Sequence, residues 1–129
     1  MVLMLSPEAD RILHVSIHSQ LGVVAEVRSS GATHTGWLAA IDEVLTKAHC
    51  TLRDITGIVL VQNPSSFTGT RLMHTIGNTF AYAQHIPIIA VQASQAPFDG
   101  LWLQVHDAPT GMYISPTYSG EPNIGPLSV

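Results

Sequence analysis

Cysteine is nearly absent from this chain: Cys50 is the one thiol in 129 residues. A single cysteine excludes an internal disulfide and fits a reducing compartment, so the expected location is the cytoplasm. Charge is scarce as well. Asp, Glu, Lys and Arg make up 11% of the residues while apolar types reach 46%, against about 25% charged in an ordinary soluble domain. A surface this poor in charge is expected to be covered in part by another subunit. The basic residues Arg11, Arg28, Lys47, Arg53 and Arg71 are dispersed along a chain of net charge −4. Unaided RNA binding needs clustered cations on several phosphates, so no direct contact with nucleic acid is expected. Long apolar runs are missing too. Nothing approaches the ~18 residues of a membrane-spanning helix, so no membrane association is expected. The opening Met1-Val2-Leu3-Met4-Leu5 is too short for a signal-peptide core.

What is present reads as one α/β domain spanning residues 1–129. Residues 11–18 read as a strand and residues 21–28 as its hairpin partner, with a turn at Ser29-Ser30-Gly31. Between residues 35 and 48, Trp37, Leu38, Ile41, Val44, Leu45 and Ala48 recur at three- and four-residue spacing, which predicts a helix. Gly57-Ile58-Val59-Leu60-Val61-Gln62 is a buried strand that runs into Asn63-Pro64-Ser65-Ser66. A helix over 67–84 and a strand over 88–91 follow, completing a βαβ unit. The first turn of such a unit is where α/β proteins bind ligands or partners. Residues 92–100 read as a loop, 101–106 and 111–118 as a hairpin, and the Gly- and Pro-containing tail 119–129 as irregular.

Two readings of that first turn stand. Ser65 and Ser66 suit helix N-caps, because a hydroxyl there accepts an otherwise unpaired N–H. Alternatively the N–H groups of Thr68, Gly69 and Thr70, with Arg71 beside them, form an anion or nucleotide site with Ser65 and Ser66. No Gly-x-x-x-x-Gly-Lys-Ser/Thr pattern is present. Other chemistry has little support. His14 and His18, four apart on a strand, lie ~13 Å apart, whereas two ligands of one zinc lie within ~4 Å. They read as ordinary strand histidines, and neither His34 nor His49 beside Cys50 has signalled partners. Ser66 lacks the Gly-x-Ser-x-Gly setting of a nucleophile. No catalytic residue, metal or cofactor is expected.

The second helix carries two lines of residues. Leu72, Ile76, Phe80 and Ala83 read as the core stripe; Gly69, Met73, Gly77 and Ala81 form a second, mostly small one. A mid-helix glycine costs ~1 kcal/mol relative to alanine, so something packs closely at Gly77. That neighbour is either the chain's own sheet or another subunit. The second alternative is adopted as the expectation, with Trp37 added to that interface.

The string Pro64-Ser65-Ser66-Phe67-Thr68-Gly69-Thr70-Arg71 resembles the loop of the TsaB (YeaZ) family. That family is a non-catalytic branch of the actin-like ATPase superfamily and supports threonylcarbamoyladenosine synthesis on tRNA. Ile12-Leu13-His14-Val15 is similar to the family's first strand, His34-Thr35 to its first helix start, and Asp54-Ile55 to the lead into its central strand. Leu103 to Ala108 followed by Gly111-Met112-Tyr113 resembles the hairpin that opens its second half. The likeness runs over residues 11–118, strongest from 54 to 94. The family's strand-1 Asp falls at Ser16, Val61, Asn63 and Ser65 replace glycines, no third strand fits between Val27 and His34, and most of a second lobe is missing.

The resemblance implies a cut-down actin-like (ribonuclease H-like) mixed sheet with two packing helices. Residues 11–94 would be the first-lobe core and 101–118 a remnant hairpin of the second lobe. It also implies a non-catalytic scaffold for a TsaD-like protein, and a homodimer in isolation through the same two helices. With Ser16 in place of the acid, independent ATP hydrolysis is not expected. The other readings are a small nucleotide- or anion-binding protein using residues 65–71, or a degenerate homologue with a regulatory partner.

Overall fold

Valine, isoleucine and leucine packed on both sides of a strand place that strand at the centre of a covered sheet. In the computed structural model, which describes residues 1–8, 12–29, 34–62, 67–92, 99–115 and 123–126, five strands form one sheet, with the most deeply buried at its centre and an exposed strand at one edge. They are β1 (Val2–Pro7), β2 (Leu13–Ser19), β3 (Gly22–Arg28), β4 (Gly57–Gln62) and β5 (Ile88–Gln92), arranged in the order β3-β2-β1-β4-β5. The hairpins give antiparallel pairs, with Leu5 opposite Val15 and Ser16 opposite Glu26. β1, β4 and β5 are parallel, with Met4 beside Val59 and Leu60 beside Ala90. The sheet is mixed, as the resemblance implied.

Helices cover both faces, the three-layer solution for a sheet apolar on both sides. Helix α1 (His34–Lys47) and helix α2 (Phe67–Gln84) bury Trp37, Ile41, Val44, Met73 and Ile76 against Leu3, Leu5, Val15, Ile17 and Leu60. Helix α3 (Asp99–Asp107) lays Leu101 and Val105 on Val2, Val59, Val61 and Val91. Its approach is close: a Cβ at Gly57 would stand 2.9 Å from a Val105 methyl.

Three sequence expectations need correction. The first strand is Val2–Pro7, not residues 12–15; Val2, Leu3 and Leu5 are wholly buried between β2 and β4. The short apolar opening is therefore the middle of the sheet, and β3 takes the place of the third strand for which no room was found. Ser16 lies midway along β2, and the first strand ends at Ser6-Pro7. Residues 101–106 are not half of a hairpin but part of α3. Alternation by two would bury Leu103, whereas it is exposed and Leu101 and Val105, four apart, are buried. This makes three helices rather than two among the described residues. The tail is not wholly irregular either: β7 (Asn123–Pro126) pairs antiparallel with β6 (Met112–Ser115).

Candidate functional site

The small-residue line of α2 faces the sheet. Met73 is fully buried, Ala81 nearly so, and a Cβ at Gly77 would meet methyls of Leu60 at 2.7 Å and Ile88 at 3.2 Å. Trp37 is wholly enclosed in the same core. The expected partner interface of Trp37, Met73, Gly77 and Ala81 is thus an internal seam: the missing side chain lets α2 settle onto β4 and β5. Gly69 stands in the first turn of α2, two turns before Gly77.

A different surface is left open on the helical layer. Leu38, Ile41, Leu45, Cys50, Leu52 and Phe80 line a groove of about 470 Å³ between α1, the 3-10 turn Leu52–Asp54 and α2, with Asp42 and Thr46 also on its wall. Local chemistry fixes its end. α1 ends at Lys47 and is closed by His49, whose φ of 55° is left-handed; His49 N–H donates to the Thr46 carbonyl and Cys50 N–H to that of Leu45. This six-to-one and five-to-two pair is the Schellman closure. It makes His49 a helix terminator, and the same geometry recurs after α2 at His85. Thr51 N–H then donates to Asp54 Oδ2 at 2.8 Å, holding the 3-10 turn that brings Leu52 to the groove. Burial, with the Asp54 carboxylate next, pushes the Cys50 thiol up, so it stays protonated and weakly nucleophilic at neutral pH.

The motif loop is only partly brought together. Ser65 and Ser66 lie outside the described residues. Thr68 and Gly69 fall in the first turn of α2, Thr70 is buried, and Arg71 is exposed. Next to it is a polar cluster that sequence reasoning missed. Gln62 and Gln92 end the adjacent parallel strands β4 and β5, and the Gln92 amide nitrogen donates to Gln62 Oε1 at 2.7 Å. Gln62 Nε2 lies 3.4 Å from Nε2 of His74, whose Nδ1 lies 2.7 Å from the Thr70 carbonyl. The legible signal was a glutamine closing each strand and a histidine inside the buried stripe Met73–Ile76.

A second polar group lies on β2. Ser16 Oγ is 2.8 Å from His18 Nε2, and His14 Nε2 is 3.9 Å from Glu26 Oε1. Among the described residues, no three His, Cys, Asp or Glu side chains converge to hold a metal. Burial lowers the pKa of His18, His14 adding to the effect and Glu26 opposing it. Burial also lowers that of His74, the Thr70 carbonyl opposing it. Both rings therefore favour the neutral form in the folded chain. As pH falls below about 6.5 the unfolded chain takes up protons first. Stability should be full at neutral pH and decline as pH drops through and below that value. Urea midpoints at pH 7.5, 6.5 and 5.5 should fall in that order, and His74→Gln should flatten the decline. A midpoint that rises toward pH 5.5 would contradict both assignments.

Solved structures share this architecture. YeaZ from Pseudomonas aeruginosa superposes with a TM-score of 0.61 at 21% identity, over 70% of this chain and 44% of that one. An uncharacterized protein with similarity to peptidase YEAZ from Pseudomonas aeruginosa gives 0.63 at 17% identity, over 96% and 62%. The class is therefore an α/β domain of the cut-down actin-like type. Residues 11–117 match the family model described as TsaD: tRNA N6-adenosine threonylcarbamoyltransferase. The chain belongs to this family, and within it is TsaB-like. The TsaB tRNA threonylcarbamoyladenosine biosynthesis protein of Bacillus subtilis (strain 168) is 31% identical over 63% of the chain. The tRNA N6-adenosine threonylcarbamoyltransferase of Treponema pallidum (strain Nichols) is 38% identical over 60%. The chain spans 38% and 22% of the lengths of these curated relatives.

Proposed function

We propose that this chain serves tRNA threonylcarbamoyladenosine modification in the cytoplasm as a non-catalytic partner, holding a TsaD-type subunit through the α1–α2 groove. The observation that carries the reading is the groove itself. It is an apolar trough between the two helices through which the TsaB resemblance implies pairing, built of Leu38, Leu45, Leu52 and Phe80. A chain with so little charge gains by covering such a trough. The same surface would pair two copies when the chain is alone.

A non-catalytic role has support at β1. β1 ends at Ser6-Pro7, with no carboxylate at the end of the first strand where an actin-like ATPase needs one, and Glu8 beyond it is paired with Arg28 at 2.7 Å. Contact with tRNA is left to the partner, since the sequence holds no basic cluster to bind phosphates.

Thr46 offers a clean test because it is exposed, and its hydroxyl donates to the Asp42 carbonyl one turn earlier. Thr46→Trp places a large ring in the groove, while substitutions at such surface positions typically change stability by about 0.5 kcal/mol or less. Titration of the folded variant with its cognate TsaD-type subunit should show affinity reduced at least about tenfold, a loss of ~1.4 kcal/mol. Unchanged affinity in the variant would remove the groove from the account.

A further inference from the structure

Apart from the protonated Cys50, Asp42 is the one ionisable group lining the α1–α2 groove among the described residues. The helix itself makes no use of that charge. Asp42 stands past the middle of the 14-residue α1, away from the first turn where a carboxylate would favour the helix dipole. The positions three and four residues to either side are Leu38, Ala39, Leu45 and Thr46, none of them basic, so no ion pair forms along the helix. The ion pairs among the described residues are His14–Glu26 and Arg28–Glu8, and Asp42 is in neither. Leu38, Asp42 and Leu45 share one helical stripe. A carboxylate therefore interrupts the apolar wall between two leucines.

We propose that Asp42 is the specificity residue of this groove: it selects a partner surface that sets a Lys or Arg among apolar side chains, and it disfavours a second copy of this chain. The inference rests on the groove reading of the preceding subsection. An occupant that covers the trough takes Asp42 out of water, and a covered carboxylate needs a cation beside it. In a two-fold pair the groove meets a second copy of itself, and its described lining holds no Lys, Arg or His. The nearby cations are placed elsewhere. Lys47 Nζ lies 3.5 Å from the Glu26 carbonyl on β3, and His49 and Arg53 are outside the lining.

Self-pairing thus matches the apolar residues and leaves the charge unmatched. A TsaD-type subunit that brings a cation to Asp42 matches both. The leucines and Phe80 supply attraction to either occupant, and Asp42 supplies the difference between them.

Asp42→Asn removes the charge at nearly the same shape, and Asp42→Glu keeps it. The position is exposed, so neither change should unfold the chain. Titration with the cognate TsaD-type subunit and sedimentation of the isolated chain read the two halves of the proposal. In Asp42→Asn the affinity for the subunit should fall at least about tenfold, as expected for one partner of a covered ion pair, while self-association should tighten. Asp42→Glu should restore most of the affinity. A residue that only shapes the groove would move both associations in the same direction. Unchanged affinity for the subunit in Asp42→Asn, or self-association no tighter than in the unsubstituted chain, would overturn the proposal. Thr46→Trp separates this from the groove reading. If it blocks the subunit while Asp42→Asn does not, the groove stands and its specificity residue falls; if neither variant affects the subunit, both fall.

Discussion

Trp37→Ala should lower the stability of this chain by about 3–5 kcal/mol, the range for removing a fully buried large side chain. Trp37 sits in the first turn of α1 with no exposed surface, enclosed in the core that α1 and α2 form over the sheet. Nothing nearby can collapse into a space of that size without moving the helix. The same substitution in a partner interface would leave a folded monomer and reduce association alone. Urea unfolding of the isolated protein separates the two. A midpoint close to that of the unsubstituted chain would mean that Trp37 is not where the structure places it.

Gly77→Leu should be nearly as damaging. Overpacking a filled core costs about 1–3 kcal/mol and occasionally more. Here the first added carbon already meets Leu60 at 2.7 Å and Ile88 at 3.2 Å. The gain in helix propensity, about 1 kcal/mol, cannot offset a branched side chain driven into β4 and β5. A net loss of about 2–3 kcal/mol corresponds to a fall in melting temperature on the order of 10 °C. Gly77→Ala should lie between, because one methyl requires only that the tip of Leu60 shift. Thermal melting that leaves Gly77→Leu unchanged would place α2 farther from the sheet.

These substitutions also mark where the sequence was legible. The helical spacing of Trp37, Ile41 and Val44 and the apolar run from Gly57 to Val61 carry their structure openly, because burial on one stripe or on both faces of a strand dictates residue type. The glycine at position 77 signalled close packing correctly. Its neighbour was not legible, since a small-residue line looks the same against a sheet as against another chain. β1 was hidden for a different reason: five apolar residues before a Ser-Pro step carry no period of their own, and only the pairing with β2 and β4 makes them a strand. Leu101, Leu103 and Val105 alternate like a strand, and α3 was lost to that coincidence. His74 and the two terminal glutamines escaped notice because their meaning depends on adjacency across strands 30 residues apart.

The central claim, a TsaD-type subunit seated in the α1–α2 groove, is tested most directly at Cys50. This half-buried thiol lines the groove, so an occupant must shield it. The measurement is the rate of Cys50 alkylation by a maleimide at constant pH, alone and with a saturating amount of the cognate TsaD-type subunit. The account predicts slowing of at least about tenfold in the complex. A rate that the partner subunit leaves unchanged would contradict it.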